Sequence, residues 1–261
     1  MTHVLIAIAC GIALGAVLGL LGGGGGLIAV PLFGAVFSWS IDQSGTASMA
    51  CVLTGSAMAV ATQARTGRLR IKVGLVFGLI GTVSAVLGSL AAFAIPDVIQ
   101  HGGLALLLIT SGTLMLRKAG KLRRGSAIDA GSPHSDEIRV DLRVILSASA
   151  IGFIVGVFGI SGGFLAVPVL TSLIGLTVPE AAATALIVVM INSAAAISAR
   201  AGHVEHAGTI SVLAGSTGAG AALGALASRR ASAPFLAGAF GSLMLAISGW
   251  ECLQVVELLQ S

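Results

Sequence analysis

No lysine, arginine, aspartate or glutamate occurs before Asp42, and charge-free stretches recur after it at 73–96, 98–116, 144–179, 181–199 and 231–250. Runs of this length cannot all be buried in a water-soluble domain of 261 residues, because too little polar chain remains to wet its surface. Charged residues make up 9% and hydrophobic residues 56%, where a soluble domain carries roughly a quarter charged residues. Mean hydropathy is +1.04. An apolar helix of about 20 residues crosses a hydrocarbon layer of about 30 Å, and several of the runs reach that length. The chain therefore reads as an all-α polytopic membrane protein.

Several other classes fall away. Cys10, Cys51 and Cys252 sit in apolar runs without CxxC spacing, so neither a disulfide scaffold nor a zinc site is expected. The formal charge is +4, but the basic residues are confined to gaps between apolar runs, a pattern of membrane topology rather than nucleic-acid binding. The first apolar stretch has no preceding Lys or Arg, which makes it a first span rather than a cleavable signal peptide. No Ser-His-Asp, HExxH or Walker pattern is present, so an enzyme is not expected, nor a metal or cofactor.

One long polar stretch, RKAGKLRRGSAIDAGSPHSDEIRVDLR at 117–143, reads as a flexible basic linker. It divides the chain into an N-terminal transmembrane repeat, 1–116, and a C-terminal one, 144–261. GAVLGLLGGGGGLIAVP at 15–31 matches GFIVGVFGISGGFLAVP at 152–168 with a single offset. That register pairs Gly15 with Gly152, Gly19 with Gly156, Gly22 with Gly159, Gly25 with Gly162, Gly26 with Gly163 and Pro31 with Pro168. Small slips then pair Ser48 with Thr184, Arg65 with Arg200 and Gly88 with Gly224. Internal repeats in a membrane chain point to a transporter architecture.

Each half divides into five apolar segments: 3–21, 26–40, 43–64, 73–94 and 99–116, then 143–159, 163–177, 180–199, 208–227 and 232–255. An odd count makes the halves antiparallel. With the N-terminus outside, thirteen of the fourteen basic residues fall in the cytoplasm and only Arg200 outside, in line with the positive-inside rule. If 26–40 and 163–177 instead re-enter on one side, each half has four spans, the repeats are parallel and twelve basic residues are inside. The different charge of the matched loops 65–72 and 200–206 favours inversion.

Five consecutive glycines, Gly22 to Gly26, would melt a helix, since each costs about 1 kcal/mol against alanine. Melted backbone at membrane depth is tolerated only where protein buries it or water lines it. A helix restarting at Leu27 would present unpaired N–H groups and a positive dipole end, a favourable place for an anion. The second copy adds the hydroxyl of Ser161. Two antiparallel copies are expected to converge on one midplane cavity, with Gly23, Gly24, Gly25, Gly26, Ser161, Gly162 and Gly163 lining it. Gly11, Gly15 and Gly19, with Gly152 and Gly156, are better explained as helix-packing contacts.

Thr54, Ser56, Asn192 and Ser193 lie on matching segments and could orient a substrate or simply bond between helices. Gln63, Arg65 and Arg200 stand at span ends, as interfacial groups or an anion clamp. Asp42 and Glu180 open the third segment of each half, as helix caps or as sites for a coupling ion, H+ or Na+. His101 and His203 are expected at the interface. GxxxG-like faces would allow a homodimer.

The glycine run ending in Ala29-Val30-Pro31, its second copy ending in Ala166-Val167-Pro168, and the basic linker resemble the TauE/SafE family, also called the 4-toluene sulfonate uptake permease family. The resemblance covers essentially the whole chain. It implies a secondary transporter of the bacterial inner membrane, moving sulfite, sulfoacetate or other sulfonates. An anion channel, or a carrier of another carboxylate or inorganic anion, is the alternative.

Overall fold

The computed structural model describes residues 2–22, 25–92, 95–124, 142–158, 163–199 and 206–260. Ten helices make up the regular structure among them: α1 (Thr2–Leu21), α2 (Gly25–Phe37), α3 (Ile41–Gln63), α4 (Ile71–Ala92), α5 (Asp97–Arg123), α6 (Leu142–Phe158), α7 (Gly163–Leu173), α8 (Val178–Ala199), α9 (Ala207–Ser228) and α10 (Ala233–Gln260). They follow the ten expected segments closely. The largest departure is α5, which runs seven residues past the expected boundary at 116. Lys and Arg in its last turns suit the negative end of a helix dipole, and Ala119 and Leu122 still meet apolar neighbours there. Residues 125–141, the rest of the linker, lie outside the described residues.

Six helices are long and apolar enough to cross a bilayer: α1, α3, α4, α8, α9 and α10. Leucine, isoleucine, valine and phenylalanine cover much of their outer faces, with Leu79, Val83, Leu223 and Leu253 among those exposed. In water such a surface would drive aggregation; in lipid it is the solvated face. The protein is a multi-pass membrane protein.

Glycine decides which helices pair. Gly11, Gly15 and Gly19 of α1 meet, in turn, Leu213 and Ser216, Thr217 and Ala221, and Ala221 and Ala225 of α9. Both numbers rise together, so α1 and α9 run in the same direction. Gly220 and Gly224 of α9 return the contact against Ile12 and Ala16. The stripe that would have allowed a homodimer is thus consumed inside the chain. In the second half, Gly152 and Gly156 of α6 meet Gly81 and then Ala85 and Ser89 of α4, again in parallel. Without side chains in the way, backbones approach closely and dispersion contacts accumulate.

The remaining directions follow in the same manner. On α4, Gly74, Gly78 and Gly81 meet Ile187, Ile191 and Asn192 of α8. Thr54 of α3 bonds the Ala214 carbonyl of α9 and the Arg229 guanidinium bonds the Thr62 carbonyl. So α1, α3 and α9 form one parallel set, and α4, α6 and α8 another. The two sets are opposed, because α3 turns into α4 through 64–70 and Arg70 on that turn pairs with Glu180 at the start of α8. In the outer pair, α5 and α10 are antiparallel: Gly112 meets Met244 and Leu245, Gly238 meets Ala119, and His101 meets Glu251.

Candidate functional site

Gly22 stops α1. Its φ is +71° and a methyl group there would lie 2.5 Å from the Ala182 Cα of α8, so both conformation and space require glycine. The chain then resumes as α2 at Gly25, next to the Leu14 carbonyl and Leu18 of α1. Leu18 in turn meets Gly55, near the middle of α3. From that depth α2 runs back toward the end where α1 and α9 begin. Phe33 packs edge-on to Phe37 and Trp39, and Trp39 stacks on His206, the residue that precedes α9. In the second half α6 ends at Phe158 and α7 begins at Gly163, and residues 159–162 between them lie outside the described residues. Gly23, Gly24, Ser161 and Gly162 lie outside the described residues.

The ends of α1 and α6 are not at one depth. Gly19 is level with Ala225, three residues before the end of α9, and Gly156 with Ser89, three residues before the end of α4. Those ends lie on opposite sides of the bundle because α4 and α9 run oppositely. The stretches expected to converge on a single midplane cavity include 23–24 and 159–162, which lie outside the described residues. Gly25 and Gly26 are buried, and the first N–H groups of α2 have no acceptor within the helix. Pro31 also lacks the N–H that would bond the Leu27 carbonyl, and Pro168 repeats this in α7. The Gly26 carbonyl accepts from Ser48 at 3.5 Å.

The polar candidates separate into two kinds. Thr54 and Ser56 bond backbone carbonyls: Thr54 to Ala50, Cys51 and Ala214, Ser56 to Val52 and Leu53. Thr54 thereby ties α3 to α9, whereas Ser56 bonds only within α3. Asn192 differs. It is 1% exposed, and neither its amide nitrogen nor its oxygen has a hydrogen-bond partner. Both atoms face the space left by Gly81. A buried amide in this state carries a full desolvation penalty, which a polar guest would relieve. Ser193 is buried too, but a neighbour one position on points about 100° away and cannot share that face.

At the end carrying the 64–70 turn, Glu180 accepts from Arg70 at 2.5 Å and from the Thr177 backbone and hydroxyl at 3.1 and 2.9 Å. It caps α8 and ties the two halves together. The Arg70 amide also bonds Thr184, and Arg68 bonds the Ser228 and Arg229 carbonyls. Gln63 is buried at the end of α3, while Arg65 is exposed on the turn; Arg200 is outside the described residues. Ser40, in a capping box with Gln43, caps α3. Asp42 follows in its first turn, and its side chain is not described. Arg70→Leu is expected to lower the thermal midpoint in detergent, reflecting the loss of about 1–3 kcal/mol of charged hydrogen bonding. Arg65→Leu serves as the control and stays within about 0.5 kcal/mol.

Two cavities flank the α5/α10 pair, one at each end. One, of about 390 Å³, is lined by Val30, Pro31 and Gly34 of α2, by Trp39 and Ser44, and by His101, Trp250, Glu251 and Gln254. The other, of about 790 Å³, is lined by Arg117, Lys118, Lys121 and Arg124 with Ser172 of α7. Among the described residues, none of the glycine, hydroxyl, amide or carboxylate candidates from the sequence lines either cavity. Of the residues lining the first cavity only His101 was legible, as an interfacial residue, and no local signal joins it to Glu251 or the tryptophans.

The chain matches TauE, "Sulfite exporter TauE/SafE", over residues 7–250. It belongs to the TauE/SafE family. Two proteins of Xylella fastidiosa, from strains 9a5c and Temecula1, are each 32% identical to it over 171 and 172 residues and carry the description "Probable membrane transporter protein". The alignments cover 64% of this chain and 62% of each relative. No solved structure matches.

Proposed function

We propose that this TauE/SafE chain is a secondary transporter for small sulfur-containing anions, sulfite or organosulfonates, across the bacterial inner membrane. In this reading its two halves are inverted repeats and α2 and α7 are the second arms of helices broken at the glycine motif. One observation carries it: in a family member whose glycine motif recurs in both halves, helices α1, α3 and α5 are opposed to their counterparts α6, α8 and α10. An axis in the membrane plane reverses every helix it relates, and antiparallel α5 and α10 support such an axis over parallel repeats. The positive-inside rule assigns the basic cavity at 117–124 to the cytoplasm and the His101 cavity to the outside.

The chemistry follows from the restarted helices. Their N-terminal N–H groups and dipole favour an oxyanion, and the unpartnered Asn192 amide offers a further donor. Rocking of one set of helices against the other would expose the anion to each side in turn.

Proteoliposomes holding the purified full-length protein are expected to accumulate labelled sulfite or a labelled sulfonate. Unlabelled substrate inside should accelerate entry of the label. Entry without that acceleration is the behaviour of a channel and overturns the carrier mechanism. Uptake of carboxylates alone would replace the substrate class.

A further inference from the structure

The chain has two tryptophans, and both line the cavity of about 390 Å³ at the His101 end. Two further observations mark this cavity as a place that holds something. The Ser44 hydroxyl on its wall is 1% exposed and has no hydrogen-bond partner. Opposite it, His101 Nδ1 lies 2.6 Å from Glu251 Oε2, and Glu251 is 4% exposed. A buried carboxylate at the membrane boundary is retained when it is paired and useful.

We infer that this cavity is an entry subsite in which a small monoanion binds together with one proton, the anion on His101 and Ser44 and the proton on Glu251. The inference rests on the anion-transport reading above. With one proton shared between them, His101 and Glu251 are neutral as a pair. Adding a monoanion alone leaves one net negative charge among buried groups, and adding a proton alone leaves one positive charge; either is costly away from water. Adding both keeps the site neutral. The balance is simple: the shared proton stays on the imidazole, whose N–H turns from the carboxylate to the oxyanion, and Glu251 takes a proton from the outer solution. On release of the anion, Glu251 returns that proton and re-forms the pair.

The remaining groups fit this role. Ser44 supplies an O–H donor, and the rings of Trp39 and Trp250 give apolar walls for the body of a sulfonate. Gln254 carries an amide onto the rim, where it bonds Glu257 at 3.5 Å. The titratable groups on the surrounding elements are His206, stacked on Trp39 with ring centroids 5.5 Å apart, and Glu257. Asp42 and Asp97, at the starts of α3 and α5, and His3 at the start of α1 also lie at this end, and their side chains are not described. The α2 wall contributes no charge.

The test uses methanesulfonate, whose charge does not change between pH 5.5 and 8.5, so any pH dependence belongs to the protein. Because every tryptophan lines the cavity, intrinsic fluorescence of the detergent-purified full chain reports binding there. Saturable change is expected, with Kd rising about tenfold per pH unit on the alkaline side, the slope of one proton taken up. The double variant Glu251→Gln/His101→Gln, which leaves the pair no group to hold the proton, should bind with that slope abolished. Ser44→Ala should weaken binding several-fold, and His101→Gln more than tenfold, with unfolding midpoints retained. A wild-type Kd independent of pH, or a Glu251→Gln/His101→Gln variant with the slope unchanged, overturns the inference. Uptake into proteoliposomes separates the two levels. Uptake without any fluorescence change defeats this subsite and leaves transport standing, whereas pH-coupled binding without uptake of any anion defeats the transport reading alone.

Discussion

Gly15→Leu is expected to yield no folded protein. A methyl group at that position would already lie 2.7 Å from the Ala221 amide nitrogen of α9, a backbone atom that cannot step aside. The whole α1/α9 interface must open to admit a leucine, and with it go the matching contacts of Gly11 and Gly19. Close approach of backbones is the principal attraction between helices whose outer surfaces resemble lipid, so the loss should exceed about 4 kcal/mol, the range reserved for severe packing defects. Gly152→Leu should behave alike, since its methyl would lie 2.7 Å from the Gly81 carbonyl carbon. Size-exclusion profiles and thermal unfolding in detergent measure the outcome. The controls are Gly215→Ala and Gly249→Ala, where nothing lies within 4 Å; these should be neutral or stabilising by up to about 1 kcal/mol. A monodisperse Gly15→Leu protein with the wild-type midpoint would show that α1 and α9 do not pair this way.

The second large effect is expected at Asn192, and its two readouts should move in opposite directions. Leucine fills a similar volume and removes two buried, unpartnered polar atoms, which should stabilise the folded state by about 1–3 kcal/mol. The amide that would contact the anion is removed with them, so uptake should fall at least tenfold. Loss of activity with a raised unfolding midpoint is the mark of a residue kept for its ligand rather than for the fold. A variant with unchanged uptake would return Asn192 to the role of an inert core amide. Asn192 separates function from folding better than Gly25 does, because a methyl group at Gly25 would lie 2.7 Å from the Leu14 carbonyl and would disturb packing as well.

Much of the architecture was legible along the chain. Charge-free runs set the helices, and the ends of α1, α3, α8 and α9 fall within about two residues of the expected segments, because the transition from apolar to polar residues is a local property. The interruption after Leu21 was legible for the same reason: five glycines cannot sustain a helix whatever surrounds them. The overextended linker, by contrast, reflects a weighting of charge over helix propensity. Arg117, Lys118, Lys121 and Arg123 are good helix formers and belong to α5.

The candidate sites were less legible. Thr54, Ser56, Asn192 and Ser193 look equivalent as polar residues in apolar segments, and only their neighbours distinguish a hydroxyl bonded to a carbonyl from an amide left facing Gly81. Glu180 reads equally as a cap or a coupling site until Arg70 and Thr177 are found around it. His101 and Glu251 are separated by 150 positions, and nothing local relates them.

By itself, the sequence determined that this protein lives in a bilayer, that it is built from ten helical segments, and where two of its helices must stop. These follow from transfer of residues between water and lipid and from backbone entropy, which each residue carries wherever it sits. Only the tertiary structure decided that α1 pairs with α9, that the glycine stripes face inward, and that two tryptophans share a cavity with a histidine–glutamate pair. Helix surfaces of nearly the same hydropathy compete for the same neighbours, and the choice among them rests on shape at contact distance, which no single segment contains.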